Sequence, residues 1–175
     1  MKNQKEKKVL LIPLQEHEKE KFITDIQAAF KIAVIEEFGD DGNEVIPRED
    51  VEQSFNAAGA EIYHIVYNGQ IAGGTVIVIN PETNLNSLDL FFINPNMHSK
   101  GIGLAAWHAI EKLHPETKIW ETHTPYFEKR NIHFYVNKCG FHIVEFYNPH
   151  HREVNEPSSQ TAGGDYFFRF EKKMK

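Results

Sequence analysis

The sequence contains a single cysteine, Cys139, among its 175 residues. No disulfide can form within the chain, so an oxidising compartment offers it no stabilising cross-link. Long hydrophobic runs are also absent, because no apolar stretch approaches the roughly 20 residues that a membrane-spanning helix requires. The short apolar patch at residues 9–14 is interrupted by Pro13 and is too short for a secretory signal peptide. We therefore expect a cytoplasmic protein with no membrane contact.

Positive charge is scarce as well. The formal net charge is -6, and lysines cluster only near the ends of the chain, at residues 2–8 and 172–175. Nucleic-acid binding needs a basic patch or stripe that can neutralise phosphates, so we expect no nucleic-acid partner. Residues 1–8 and 172–175 are predicted to be flexible, solvated tails.

Hydrophobic residues make up 41% of the chain and charged residues 25%, which is ordinary for a globular protein. At this length the chain can bury a core without disulfides or metal. Residues 1–175 are therefore predicted to form one domain, since no repeat or linker divides them.

Hydrophobic periodicity predicts the order of the elements. Apolar residues recur at helical spacing over 17–38, and a shorter helix is predicted at 48–57. The dipeptide Asn68-Gly69 lies between two β-rich runs, at 62–66 and 71–79, and predicts an antiparallel hairpin. The remaining predictions are strands at 9–14, 85–93, 118–122, 141–147 and 166–170 and helices at 99–113 and 127–138. This order indicates an α/β (α+β) fold with a mixed sheet and helices packed on it.

One segment carries most of the chemical information. The strand at 85–93 leads into Asn94-Pro95 and a short loop, after which Gly101-Ile102-Gly103 begins a helix. Glycines in the first turn of a helix let backbone N–H groups approach a ligand, and the helix N-terminus favours a negative charge, so the site suits a pyrophosphate. The pattern is neither a P-loop nor a dinucleotide fingerprint, because the other residues of both motifs are missing.

These residues resemble the GNAT (Gcn5-related N-acetyltransferase) superfamily. Ile93-Asn94-Pro95 followed by His98-Ser99-Lys100-Gly101-Ile102-Gly103 is similar to its strand and Gln/Arg-x-x-Gly-x-Gly/Ala helix start. The segment from Asn131 to Gly140-Phe141, with Tyr135 inside it, looks like the family's Asn-initiated helix, and Gly73-Gly74 fits its third strand. The resemblance implies a mainly antiparallel sheet of about seven strands, with a cofactor cleft where the strand after Leu88 splays from the strand after Lys118.

The resemblance also implies acetyl-CoA as the acyl donor and assigns residues to it. Main-chain groups of Phe91, Phe92 and Ile93 would pair with the pantetheine arm like an added strand. Asn131 would face the pantetheine side. The pyrophosphate would lie on the loop and first helical turn: His98, Ser99, Lys100, Gly101, Ile102, Gly103 and Leu104.

There are two departures from the family pattern. His98 stands where the family has Gln or Arg, and imidazole still offers a hydrogen bond to phosphate. Tyr135 lies five residues before Gly140, whereas the family's tyrosine commonly lies four before it. A local bulge or a shifted helix could present Tyr135, and Tyr126 is the reserve candidate.

Acetyl transfer to an amine requires loss of a proton from the amine, stabilisation of an oxyanion and protonation of the departing thiolate. We predict Tyr135 as the acid and Glu121 as the base, with Asp89 as a weaker base candidate and a backbone N–H near Phe92 at the oxyanion. The alternatives are a packed tyrosine and a solvent-facing glutamate. Cys139 is predicted to be a buried thiol, so direct attack by the amine is expected. The ten histidines show no metal-ligand spacing, and no metal is predicted.

The acceptor is the least defined part of the prediction. An acidic turn follows the first helix, and it suggests a cationic small-molecule amine; its members are Glu36, Glu37, Asp40, Asp41 and Glu44. The alternative is a solvated turn. Other functions stay open: acetylation of protein or peptide N-termini, a non-catalytic acyl-CoA sensor and an interaction module. A homodimer through the last strands also stays open.

Overall fold

The computed structural model describes residues 8–42, 45–154 and 166–175. Its strands are β1 (Val9–Pro13), β2 (Ala60–Tyr67), β3 (Gln70–Val78), β4 (Leu85–Ile93), β5 (Ile119–Pro125), β6 (His142–Tyr147) and β7 (Phe167–Lys173). They form one sheet of seven strands in the order β1-β2-β3-β4-β5-β7-β6. Every neighbouring pair is antiparallel except β4 and β5. The predicted mixed, mainly antiparallel sheet is confirmed.

The helices are α1 (Lys19–Phe38), α2 (Arg48–Phe55), α3 (Ile102–Leu113) and α4 (Lys129–His133), and α4 continues into a π-helical turn at Phe134–Cys139. Short 3-10 turns occupy Glu16–Glu18 and Pro95–Met97. The helix predicted at 99–113 begins three residues later, because Ser99 and Gly101 have φ angles of 64° and 72°, which a right-handed helix does not contain.

The hairpin between β2 and β3 forms as predicted. Asn68 and Gly69 have φ angles of 51° and 77°, and Tyr67 is paired with Gln70. Positive φ at both central residues is typical of the type I′ turn, whose twist matches that of the flanking strands.

Both faces of the sheet are covered by helices. On one face, Trp107 and Ile110 of α3 pack against Trp120, and none of the three is exposed. On the other face, α1 presses Phe22 against β3 at Gly74. A Cβ at Gly74 would lie 2.2 Å from the Phe22 ring, so a glycine here lets the helix approach the sheet closely.

Strand β4 contains a β-bulge. Leu88 is paired with Ile77 and Leu90 with Val76, so Asp89 has no partner on β3. The extra residue reverses the alternation of the side chains. Leu88 therefore packs on the α3 face while Leu90 packs on the α1 face.

β4 and β5 separate soon after they meet. Their pairing runs only from Leu85↔Ile119 to Ser87↔Glu121, and the Thr122 hydroxyl then donates to the Leu88 carbonyl at 2.9 Å. β4 stays paired with β3 as far as Ile93, and β5 stays paired with β7 as far as Pro125. The wedge between them is the predicted splay.

The prediction of a flexible tail at 172–175 was wrong for its first two residues. Lys172 and Lys173 belong to β7 and pair with β5, and the Lys172 ammonium lies 2.8 Å from Glu111 and 5.6 Å from the centre of a Trp107 ring. The aliphatic stem of a lysine can cover apolar surface while its charge finds a partner. Residues 1–7 of the other predicted tail lie outside the described residues, and within that described part no helix has the length and apolar character needed to cross a membrane.

Candidate active site

A pocket of about 750 Å³ lies along the free edge of β4. The loop before α3, the second half of α1 and the start of α4 form its other walls. Its volume is within the usual range for small-molecule sites. Ten of the predicted site residues line it: Phe91, Phe92, Ile93, His98, Ser99, Gly101, Ile102, Gly103, Leu104 and Asn131. Of the other predicted residues, Lys100, Tyr135 and Glu121 lie outside its walls.

The loop before α3 has the geometry of an anion site. Ser99 and Gly101 both adopt positive φ, and the first hydrogen bond of the helix runs from Ala105 N–H to the Gly101 carbonyl at 3.2 Å. The N–H groups of residues 102–104 therefore have no acceptor within the helix. Successive free N–H groups at a helix start attract phosphate-like anions.

His98 joins this loop to two other elements. Its Nε2 lies 2.8 Å from the Ile93 carbonyl, and its Nδ1 lies 2.6 Å from the Arg130 guanidinium. A guanidinium only donates hydrogen bonds, so Nδ1 accepts and Nε2 carries the proton. Arg130 and Lys138, which the sequence analysis missed, also line the pocket and place positive charge around this loop.

The main chain of β4 points alternately toward β3 and into the wedge. Asn94 N–H donates to the Ala72 carbonyl at 2.7 Å, so the groups of Phe92 also face β3, and those of Phe91 and Ile93 face the opening. Gly73 permits this pairing, since a Cβ there would lie 2.1 Å from the Phe92 oxygen. Of the three residues whose main-chain groups were expected to pair with the pantetheine arm, Phe91 and Ile93 have theirs toward the opening and Phe92 does not, so an oxyanion contact near Phe92 would come from one of these two neighbours.

Tyr135 lies behind the pocket wall in the α3-side core. Its side chain is 5% exposed and packs against Phe141 and Phe170. Burial raises its pKa above the ordinary tyrosine range, and a hydrogen bond with the Thr122 side chain partly opposes that rise. The hydroxyl therefore lies beside β5, one residue beyond the point where β4 and β5 separate.

The π-helical turn accounts for the unusual spacing of Tyr135. Gly140 N–H bonds to the Tyr135 carbonyl, five residues back, whereas an α-helix bonds four back. The turn holds one more residue than an α-helical turn, and this is the local bulge that the spacing required. Gly140 ends it with φ 84°.

The other predicted catalytic side chains lie away from the pocket. Glu121 is 3.4 Å from Arg169, and burial raises its pKa while Arg169 lowers it. Tyr126 is 41% exposed and packs against Tyr166. Cys139 is buried, as predicted, and burial raises its pKa to about 12.

Glu128 is a site residue that the sequence analysis missed. It occupies the N-cap position of α4 without a side-chain capping bond, is 9% exposed and lines the pocket. Burial raises its pKa to about 7, Glu36 adds to the rise and Arg130 opposes it. The sequence gives no signal for it, because an acid between Phe127 and Lys129 is typical of a solvated helix cap.

The acidic turn contributes two residues, Glu36 and Glu37, to the pocket. Glu37 lies 4.0 Å from Lys129, and Asp40 lies 3.7 Å from Lys31. Much of the predicted acidic surface is therefore balanced by lysines. Glu44 lies outside the described residues.

A family model for the acetyltransferase (GNAT) family matches residues 26–141. The match covers β2 to β5 together with the anion loop, α3 and α4. The chain belongs to the acetyltransferase (GNAT) family. It is also 54% identical to the YrkN protein of Bacillus subtilis (strain 168), over 100% of this chain and 98% of that protein.

Solved structures share the fold at low sequence identity. A GNAT-family acetyltransferase from Staphylococcus aureus Mu50 has a TM-score of 0.68 at 18% identity, covering 96% of this chain and all of that one. An acetyltransferase of Bacillus subtilis in complex with CoA has a TM-score of 0.64 at 15% identity, covering 96% and 99%. A GNAT acetyltransferase from Elizabethkingia anophelis with bound acetyl-CoA has a TM-score of 0.65 at 14% identity, covering 95% and 98%.

Proposed function

We propose that the chain is an acetyl-CoA-dependent N-acetyltransferase that acetylates a primary amine of a small molecule. The observation that carries the proposal is the wedge between β4 and β5, whose pocket is lined both by a helix start with free N–H groups and by a buried carboxyl group. Family membership and the CoA-bound relatives support the choice of acyl donor.

The residues present fit acetyl-CoA. The free N–H groups at 102–104 and the positive charge of Arg130 suit its phosphates. Gly103 keeps the pocket open where a Cβ would lie 3.3 Å from the Phe134 ring, and Phe134 stacks on Phe91 at 5.8 Å between centroids to form an apolar wall. The edge of β4 presents the main-chain groups of Phe91 and the N–H of Ile93, whose carbonyl already accepts from His98, and this suits an extended ligand with amide groups.

Acetyl-CoA supplies an acetyl group activated as a thioester. The protein has to orient the amine, accept its proton and exclude water from the wedge. Tyr135, hydrogen-bonded to Thr122 at the wedge, is our candidate for returning a proton to the thiolate. Its raised pKa keeps it protonated at neutral pH, as an acid requires. The buried, protonated Cys139 supports direct attack by the amine.

The experiment that tests the donor site is calorimetric titration with acetyl-CoA. The parent is expected to bind with micromolar affinity, whereas Gly101→Asp places a side chain and a negative charge where the phosphates would lie. We expect affinity to fall at least about 100-fold. The control is Gly69→Asp, which adds the same charge at a similar φ of 77° but lies in a hairpin outside the pocket.

Equal loss in the two folded variants would trace the effect to strain and not to the site. A folded parent that does not bind acetyl-CoA would overturn the proposal. Binding without acetylation of any amine would favour the sensor alternative.

A further inference from the structure

One end of the pocket, where the last turn of α1 meets the start of α4, holds a buried carboxyl group. Glu128 is about nine-tenths buried, and its side chain makes no hydrogen bond or ion pair within the described parts of the chain. Its position is fixed by the main chain, because its N–H donates to the Pro125 carbonyl at 3.1 Å and its carbonyl accepts from Ile132 at 2.9 Å. A buried carboxylate without a partner is unfavourable, so this site is suited to a cation brought by a ligand.

Glu36 supplies a second carboxyl group at the same end. It lies in the last turn of α1, lines the pocket and is exposed at its mouth. Its negative charge adds to the rise in the pKa of Glu128, and both side chains line the same pocket. Unlike Glu37 and Asp40, neither Glu36 nor Glu128 has a basic partner within 4.0 Å among the described residues.

The walls at this end are apolar. Ala29, Phe30 and Ala33 of α1 line the pocket together with Phe127. The ring of Phe127 is held against Phe38, with 5.0 Å between centroids, so the wall is fixed. Apolar walls beside two carboxyl groups suit a hydrocarbon chain that carries an ammonium group at each end.

We propose that Glu128 binds and deprotonates the acceptor amine, and that Glu36 selects aliphatic amines with a second positive charge. This rests on the proposed function and names the acceptor for it.

The proton balance of the step is simple. The ammonium group gives one proton to the Glu128 carboxylate, and the neutral nitrogen attacks the thioester carbonyl. A C–N bond forms and the C–S bond breaks. The nitrogen loses its second proton as the amide forms, and the thiolate takes up a proton, so one proton is released overall.

The electrostatics of Glu128 agree with this role. Glu36 and Glu37 face it from α1, Lys129 and Arg130 accompany it on α4, and Tyr135 interacts with it from the π-helical turn. Burial dominates and raises the pKa of Glu128 to about 7. A base with a pKa near the working pH combines an ionised fraction with useful proton affinity. Since Glu128 has to be ionised, kcat/KM is expected to rise with pH with a midpoint near 7.

The test compares three acceptors of similar length that differ at the far end: putrescine with an ammonium group, butylamine with a methyl group and γ-aminobutyrate with a carboxylate. We expect kcat/KM to fall in that order. Glu36→Gln should remove the preference for putrescine over butylamine and leave butylamine within about twofold. Glu128→Gln should lower all three by about 100-fold or more while acetyl-CoA affinity stays unchanged.

Asp40→Asn is the matched control, because it removes one negative charge beyond the end of α1 from a residue outside the pocket. Its kinetics should equal those of the parent. The rise in kcat/KM near pH 7 is measured in the parent itself, so this part of the test does not depend on how a variant folds.

The outcomes separate the two proposals. A parent that binds acetyl-CoA but acetylates no amine overturns the proposed function. A parent that acetylates amines, but either uses γ-aminobutyrate as well as putrescine or lacks the rise near pH 7, overturns the acceptor proposal and leaves the enzyme. Full turnover of Glu128→Gln also overturns it.

Discussion

The buried position of Glu128 suits the binding of a ligand but destabilises the folded chain. Its carboxyl group is buried beside Phe127, and this burial raises its pKa to about 7 from an ordinary value of 4.5. The folded state therefore holds more protons at Glu128 than the unfolded state between about pH 4.5 and 7. Linkage then requires stability to fall as the pH rises through this window. The ionised form above pH 7 carries the full penalty.

We therefore expect Glu128→Gln to be more stable than the parent at pH 8. The gain should be about 1–3 kcal/mol, since one pKa step is worth about 1.4 kcal/mol and a buried amide has a cost of its own. The difference should shrink or disappear at about pH 3, well below both pKa values, where Glu128 of the parent is protonated in both states. Urea unfolding at the two pH values measures this, and an equal difference at both would contradict the raised pKa.

Residue-level features divide into those that the sequence predicts and those that it does not. The positive φ angles of Asn68 and Gly69 followed from the dipeptide alone, because the turn is local. The burial of Glu128 depends on α1 crossing the loop after β5, about 90 residues away in sequence. No local sequence pattern around Glu128 predicts that contact. Local chemistry is readable from sequence, whereas burial set by distant elements is not.

At the scale of elements, the π-helical turn determines where Tyr135 can act. The five-residue spacing to Gly140 was visible in the sequence, but the π-helical turn that accommodates it was not. A shifted helix and a local bulge fit the same spacing, and the choice depends on packing against Phe141 and Phe170. β4 is similar, because its bounds were predicted correctly and the bulge at Asp89 was not.

Tyr135→Phe tests the acid that this turn presents. The ring is retained, so the core should stay packed, and only the hydroxyl beside Thr122 is lost. We expect kcat to fall about 100-fold with acetyl-CoA affinity within about twofold, measured by steady-state kinetics and calorimetry. Tyr126→Phe, in which an exposed ring outside the pocket loses its hydroxyl, is the matched control. Unchanged turnover of Tyr135→Phe would remove Tyr135 from the mechanism.

At the scale of the whole molecule, the wedge depends on β5 being held by β7. The end of β7 pairs with the start of β5 from Ile119↔Lys173 to Glu121↔Glu171, which is where β4 and β5 still touch. Met174 N–H also donates to the Lys118 carbonyl at 2.8 Å. The C-terminal residues therefore support the closed end of the wedge, which the lysine-rich sequence did not suggest.

A chain that ends at Phe170 should lose this support. Three residue pairs with β5 and the His142↔Glu171 pair with β6 are lost. The Lys172–Glu111 ion pair and the buried part of Met174 disappear as well. We expect the free energy of unfolding to fall by at least about 3 kcal/mol, with weaker acetyl-CoA binding. Removal of Lys175 alone is the control and should change neither quantity. A shortened chain as stable as the parent would show that β5 needs no help from β7.

The carboxyl groups of Glu36 and Glu128 also affect how the product would leave the pocket. An ammonium group is drawn to Glu36 and Glu128 by its charge, and acetylation turns that group into a neutral amide. The attraction at Glu128 is therefore removed by the reaction itself, while a second ammonium group would leave only the exposed Glu36 to hold the product. A pocket that recognises its acceptor by charge in this way binds its product weakly. Product release is therefore favoured, and product inhibition would be weak.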